Sequence, residues 1–232
     1  MQKKSLGVGT FLTVTFFGTL IIMIMPIWDG SNFFKYADEI FNSLSKGSVY
    51  FIPEITKKIE SYDEDINIKI KLKDTNIVDG ISLLYSKTAK VKVTGNEITI
   101  SGNLKDILKT AVLDADLAYH EKYDDLTSKY GLDGKEALYY WWISLKEIAK
   151  HYKRDGKLDV ASFIDDEVIT KAIEPAYNFY GLKAESVKER APLVVGLLSF
   201  YVIYTIWWGF AIFFLFEGFG LRIEKAKDRR EI

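Results

Sequence analysis

The chain has 232 residues, of which 31 are Lys or Arg and 32 are Asp or Glu, giving a formal net charge of −1. It contains no cysteine, which excludes disulfides, thiolate metal sites, iron–sulfur clusters and cysteine nucleophiles. Residues 29–190 carry 24 basic and 28 acidic side chains. This slightly acidic balance argues against nucleic acid as a partner.

Two uncharged apolar stretches lie near the ends of the chain, at residues 5–28 and 191–216. Each is long enough to cross a bilayer, because about 20 apolar residues in a helix span the hydrocarbon core. The sequence therefore predicts two transmembrane helices on either side of a domain formed by residues 29–190. No small-residue cleavage site follows the first stretch, so we interpret it as an uncleaved anchor.

Short basic segments flank both predicted spans. Lys3 and Lys4 precede the first span, and five basic residues follow the second within a tail of residues 217–232. Because basic flanks remain in the cytoplasm, residues 1–4 and 217–232 are expected to be cytoplasmic and the central domain extracytoplasmic. An external domain without cysteine is typical of a prokaryote, so we expect the protein in a prokaryotic cytoplasmic (inner) membrane.

The hydrophobic pattern of the central domain predicts an α+β fold with a small antiparallel sheet. Apolar and polar residues alternate over residues 66–72, 89–93 and 97–101, which is typical of strands with one buried face. Gly95 and Asn96 can form a hairpin turn between the last two strands. Because a sheet with one apolar face needs a covering layer, we expect several amphipathic helices over about three strands. Helices are expected over residues 31–45, from Pro53, over 77–85, over 165–174 and over 182–190.

Two helix starts carry cap signals. Asn103 predicts a long helix over residues 104–130. Asp133, with Glu136 three residues later, forms a capping-box pattern before a helix over residues 134–152. Both helices are expected to cover the sheet.

Leu113 and Leu117 project from the face of the 104–130 helix opposite its main apolar stripe. This pattern predicts that the helix contacts protein on two faces. Both leucines are therefore candidate interaction residues.

Four consecutive aromatic residues follow in the next helix. Trp141 and Trp142 fall within its apolar stripe and are expected in the core, whereas Tyr139 and Tyr140 are expected to point away. Because amphipathic rings favour interfaces, the two tyrosines are candidates for a protein-contact patch.

Tyr204, Trp207 and Trp208 lie near the middle of the second predicted span. An unpaired hydroxyl or indole N–H is costly in hydrocarbon, so these residues favour a protein neighbour at this face. The alternative is an ordinary lipid-facing helix rich in aromatic residues. Neither span carries Asp, Glu, Lys, Arg or His, which argues against transport by this chain alone. A pore built from many copies and lined by threonine stays open.

Asp116, His120 and Asp124 are spaced four residues apart, which places them on one face of the predicted 104–130 helix. A carboxylate and an imidazole at this spacing can bind a divalent metal or act as an acid–base pair. A metal-dependent hydrolase is therefore one hypothesis. The alternative is a solvated helix flank, because the sequence does not place the further ligands that a metal needs. We expect no cofactor.

Lysines dominate the polar face of the predicted strands, which can meet an acidic partner or an anionic polymer. The alternative is a solvated face that discourages edge-to-edge pairing of sheets. The lysines are Lys69, Lys71, Lys73, Lys90 and Lys92.

These features favour a non-enzymatic, membrane-anchored scaffold or accessory subunit that forms homo-oligomers or joins other integral membrane subunits. An envelope sensor or ligand-binding module that signals through a partner is the alternative. The layout of two terminal spans around an external domain is similar to that of the polysaccharide co-polymerases. Pro192, Gly196 and Gly209 are available for the proline- and glycine-rich pattern near the second span of that family. This resemblance implies a regulator of glycan chain length.

Overall fold

The computed structural model describes residues 3–72, 74 and 77–221. The chain divides into unit 1, formed by Met1–Phe41 and Ser186–Ile232, and unit 2, formed by Asn42–Glu185. Lys73 and the five basic residues predicted to hold the tail in the cytoplasm lie outside the described residues.

The described elements form an α+β architecture. In chain order they are α1 (Lys3–Ile24), α2 (Phe33–Ser48), α3 (Ile52–Ile59), β1 (Asp65–Lys71), α4 (Val78–Tyr85), β2 (Lys90–Thr94), β3 (Glu97–Asn103), α5 (Leu104–Tyr119), α6 (Tyr123–Tyr130), α7 (Gly134–Arg154), α8 (Leu158–Ser162), a π-helix (Phe163–Ile173), α9 (Glu174–Asn178) and α10 (Val187–Gly218).

Unit 1 contains two helices, α1 and α10, that are long and apolar enough to cross a membrane. Helix α10 contains the whole second predicted span. Helix α1 ends at Ile24, so the prediction of a helix to residue 28 is wrong. The reason is Pro26, because a proline disfavours the helical conformation at the residue before it.

Helices α1 and α10 pack directly against each other. The two helices approach closely at Gly9, where an added Cβ would lie 2.6 Å from the backbone nitrogen of Leu215. Small residues allow such close contact between apolar helices. The hydroxyls of Thr13 and Thr19 donate to carbonyls one turn earlier in α1, so they are satisfied within their own helix.

Unit 2 contains a three-stranded antiparallel sheet in the order β1-β3-β2. Ile100 of the central strand pairs with Ile68 of β1 and Val91 of β2. Both predicted features are confirmed: the hairpin turns at Gly95 and Asn96, and β1 alternates strictly between exposed and buried residues. The helices form one continuous apolar core with the buried face of the sheet.

Both predicted helix caps of unit 2 are confirmed. The Asn103 side chain accepts a hydrogen bond from the backbone N–H of Lys105 at 3.0 Å. The Asp133 carboxylate accepts from the backbone N–H groups of Lys135 at 2.9 Å and of Glu136 at 3.4 Å. These side chains satisfy N–H groups that have no partner within the helix.

The prediction of one helix over residues 104–130 is wrong, because the chain leaves the helix after Tyr119. Glu121 has a φ of 62°, and the Lys122 N–H donates to the Leu117 carbonyl at 2.9 Å. This pattern is the Schellman ending, in which glycine normally occupies the left-handed position. Because a glutamate takes the place of that glycine, the sequence does not indicate that the helix ends here.

The predicted helix over residues 165–174 is part of a longer helical segment. Helix α8, the π-helix and α9 follow one another from Leu158 to Asn178. Pro175 does not end this segment. It lies in the first turn of α9, where the missing N–H of proline costs little.

Candidate interaction site

Unit 2 has an aromatic groove on its surface. Tyr139 and Trp142 of α7 are 42% and 37% exposed, and their rings lie nearly parallel with centroids 6.4 Å apart. The centroid of Tyr177 lies 6.5 Å from that of Tyr139. The groove has a volume of about 320 Å³ and is lined by Tyr139, Trp142, Glu174, Tyr177 and Asn178.

Polar groups fix the rim of the aromatic groove. The indole N–H of Trp142 donates to Oε1 of Glu174 at 2.9 Å, which sets the orientation of the ring. The Lys135 ammonium lies 4.9 Å from the centroid of Tyr177, and the Lys146 ammonium lies 6.0 Å from a ring centroid of Trp142. Both distances are within the range of cation–π attraction. The groove therefore combines apolar ring faces with a carboxylate and two cations.

The predicted division of the aromatic cluster is wrong at two of four positions. Tyr139 is exposed and Trp141 buried as expected, but Tyr140 is buried and Trp142 is half-exposed. Tyr140 packs over α4 at Gly80, where an added Cβ would lie 2.1 Å from its ring, and its hydroxyl donates to Glu136. Helix α7 is buried on two sides, by α4 and by the π-helix, so a single apolar stripe does not describe it.

Two of the three candidate metal ligands, Asp116 and His120, are in contact, whereas Asp124 lies on a different helix. Nδ1 of His120 lies 3.1 Å from Oδ1 of Asp116, and the Tyr50 hydroxyl donates to the same oxygen at 2.7 Å. Burial, together with the Asp116 carboxylate, raises the pKa of Tyr50 to about 12. Asp124 lies on α6, beyond the break at Glu121.

Within the described part of the chain, no group of three or more His, Asp or Glu side chains could hold a metal ion. Asp116 and His120 therefore form a surface pair at the end of α5. The described geometry offers no site for the hydrolase hypothesis.

The two candidate leucines on α5 differ in exposure. Leu113 is 56% exposed, whereas Leu117 is half-buried and packs against the core of unit 2. Leu113 alone is accessible enough to contact another protein.

The mid-span aromatics of α10 contact α1. The Tyr204 hydroxyl donates to the Phe16 carbonyl at 3.2 Å, and the Trp207 indole donates to the Leu12 carbonyl at 3.1 Å. The Trp208 ring stacks on Phe16 with centroids 4.6 Å apart. The protein neighbour that these residues favour is therefore provided within unit 1.

A buried lysine in unit 2 has no counterpart among the predicted sites. The Lys46 side chain is buried, and its ammonium donates to the Leu182 carbonyl and lies 3.6 Å from Oε1 of Glu121. The Tyr119 hydroxyl donates to the Lys46 carbonyl at 2.5 Å. A lysine in an amphipathic helix is normally assigned to the surface. The sequence around Lys46 therefore gives no indication that its side chain is buried.

Next to Lys46, the two ends of unit 2 are joined by a hydrogen bond. The backbone N–H of Glu185 donates to the carbonyl of Ser43 at 3.1 Å. Together with the bond from Lys46 to Leu182, it holds residues 43–46 against residues 182–185. We refer to this set of contacts as the Lys46 clamp.

The Lys46 clamp predicts a distinctive pH dependence of stability. Burial lowers the pKa of Lys46 below its ordinary value, and the Glu121 carboxylate opposes this shift. The unfolded chain then binds the proton more tightly, so stability rises as the pH increases from the folded-state pKa towards the ordinary value. We expect the free energy of unfolding of the wild type, relative to Lys46→Met, to increase as the pH rises towards the ordinary lysine pKa of 10.5.

Urea unfolding of the full chain in detergent, followed by circular dichroism, measures this difference. The exposed Lys87 provides the control, because its side chain takes no part in the Lys46 clamp. A Lys46→Met difference that does not vary with pH would contradict the prediction.

No protein-family model, no curated protein and no solved structure matches the chain. The function must therefore be inferred from the side chains and their contacts.

Proposed function

We propose that the protein is a non-enzymatic, membrane-anchored accessory subunit or scaffold that binds other proteins through the aromatic groove of unit 2. The observation that carries this proposal is the pair of half-exposed rings of Tyr139 and Trp142, held in place beside Tyr177 and Glu174. Aromatic residues that are rigid and accessible are enriched at protein interfaces and at their energetic centres.

The proposal places α1 and α10 across a membrane. Their length and apolar composition support this placement, as does the absence of Asp, Glu, Lys, Arg and His between positions 5 and 28 and between 191 and 216. The positive-inside rule then puts both termini in the cytoplasm and unit 2 outside it. The partners are copies of this chain or other integral membrane subunits.

The test is the composition of the complex extracted from native membranes in mild detergent, measured by native mass spectrometry. We expect the double variant Tyr139→Ser and Trp142→Ser to lose at least about nine-tenths of the bound partner, because an aromatic residue at the energetic centre of an interface typically contributes about 2 kcal/mol or more. The melting temperature of unit 2 should change little, since both rings are accessible.

Leu158→Ser is the matched control, because Leu158 is 62% exposed and does not line the groove. The complex should survive this change. A monomeric wild-type protein, or a complex that the double variant leaves intact, would overturn the proposal. A homo-oligomer supports the scaffold version, and stoichiometric foreign subunits support the accessory-subunit version.

The size of the groove favours a second candidate function, a ligand-binding module. Its volume of about 320 Å³ falls in the range of small-molecule sites, which also combine aromatic walls with a few polar groups. In the version that resembles a polysaccharide co-polymerase, the ligand is a glycan. An oligosaccharide that raises the melting temperature of the wild type but not that of Trp142→Ser would favour this candidate.

A further inference from the structure

Strand β1 of unit 2 has an open edge. Leu72 N–H donates to the Asn96 carbonyl, and Leu104 N–H donates to the Glu64 carbonyl. Hydrogen-bonded pairs alternate in an antiparallel ladder. The β1 residues whose backbone groups bond to β3 are therefore 66, 68 and 70. The backbone N–H and C=O groups of Asn67, Lys69 and Lys71 therefore point away from β3.

These outward groups have no backbone partner within the described part of the chain. An edge of this kind is a template for a further strand, because an extended peptide can satisfy each group with a main-chain hydrogen bond. The side chains of the same three residues are exposed. A strand can therefore bind at this edge without moving a buried side chain of these residues.

A groove with a volume of about 460 Å³ runs beside this edge. Four consecutive residues of β1 and its C-terminal extension form one wall, and the last turns of α7 form the other. The lining residues are Lys69, Ile70, Lys71, Leu72, Asn96, Glu147, His151 and Arg154. Buried and exposed residues of β1 alternate in this lining, so the groove is not confined to one face of the sheet.

The charge of the groove selects among possible occupants. Lys69 pairs with Glu97, and Glu147 pairs with Lys150, which leaves Lys71 and Arg154 without an ion pair within the described residues. Strand β1 carries Lys69 and Lys71 but a single acidic residue, Asp65, so a second copy would bring net positive charge to an edge that is already positive, which is unfavourable. An extended segment with acidic side chains would instead be attracted to them.

We propose that the β1 edge binds an acidic, extended segment of a partner protein as a fourth strand of the sheet. The main chain of the segment bonds to the outward groups of residues 67, 69 and 71, and its carboxylates lie near Lys71 and Arg154. This surface is distinct from the aromatic groove, so the inference stands whether or not the proposed function is correct.

The test uses the full chain in detergent micelles and a fluorescent peptide of about eight residues that alternates glutamate and threonine, since threonine favours strands. Fluorescence anisotropy measures its Kd. We expect Lys71→Pro to weaken binding at least about tenfold, because proline removes both the Lys71 charge and an outward N–H, without removing a bond to β3. Arg154→Glu should have a similar effect through charge alone.

Each variant has a matched control on the opposite edge of the sheet. In a two-residue hairpin, the residues that flank the turn form a hydrogen-bonded pair, here Thr94 and Glu97. Because hydrogen-bonded pairs alternate, Lys92 also bonds to β3, whereas the Val93 N–H points outward from β2. Val93→Pro therefore removes an outward N–H at the other edge, and Lys92→Glu makes the same change of charge as Arg154→Glu. Both should change Kd less than about twofold.

Three outcomes overturn the proposal. The first is equal affinity of wild type and Lys71→Pro. The second is equal binding of a control peptide that alternates glutamate and proline, which would show attraction of charge without strand formation. The third is a homodimer of the wild type that Lys71→Pro abolishes, which would show that a second copy occupies the edge.

Discussion

Asp114→Ala should lower the free energy of unfolding of unit 2 by about 3–5 kcal/mol, the cost of breaking a buried ionic network. Asp114 is fully buried on α5. Its carboxylate accepts hydrogen bonds from the Tyr130 hydroxyl at 2.6 Å, the Trp141 indole at 2.8 Å and the Lys129 ammonium at 2.6 Å. Alanine would leave three donors without an acceptor, two of them on buried residues.

Urea unfolding of the full chain, followed by circular dichroism, gives the free energy. Asp116→Ala is the matched control, because Asp116 lies on the same helix but is half-exposed and bonds only at the surface. It should cost about 1 kcal/mol or less. A loss below about 1 kcal/mol for Asp114→Ala would show that the network contributes little.

Gly9→Leu should separate α1 from α10. Any side chain at this position meets the backbone of α10, since even a Cβ would lie 2.6 Å from the nitrogen of Leu215. The helices would have to move apart, which breaks the bonds from Tyr204 and Trp207 to the α1 backbone. Association of apolar helices depends on such close packing.

The absence of native cysteine makes crosslinking a direct measurement of this separation. Phe16→Cys and Tyr204→Cys replace two rings that stack with centroids 4.2 Å apart. We expect Gly9→Leu to lower the yield of a short thiol crosslink several-fold in this background. Gly7→Leu is the control, because an added Cβ at Gly7 meets nothing within 4 Å; equal yields from both variants would contradict the prediction.

Local signals were sufficient to predict the sheet and the helix caps. The alternation of residues 66–72, the turn at Gly95 and the oxygens of Asn103 and Asp133 each act within a few residues, and each is present in the structure. Such features depend on backbone geometry and on the period of apolar residues, both of which can be read from neighbouring positions.

Features set by distant parts of the chain could not be predicted. Glu121 adopts a left-handed conformation in contact with Lys46, which is 75 positions earlier. Tyr140 is buried because α4 places a residue without a side chain, Gly80, beneath its ring. The exposure of Trp142 follows, since adjacent helix positions are about 100° apart and α7 cannot bury every side. The aromatic groove and the open edge of β1 likewise depend on which elements become neighbours.

The Lys46 clamp has a mechanical consequence. The polypeptide enters and leaves unit 2 at one place, the geometry that allows a domain to be inserted into another structure or circularly permuted. A pulling force applied between the two connecting segments would load the Ser43–Glu185 hydrogen bond and the Lys46 side chain before it reached the core. Unit 2 is therefore an insert whose resistance to being pulled open depends first on one backbone hydrogen bond and one buried ammonium group.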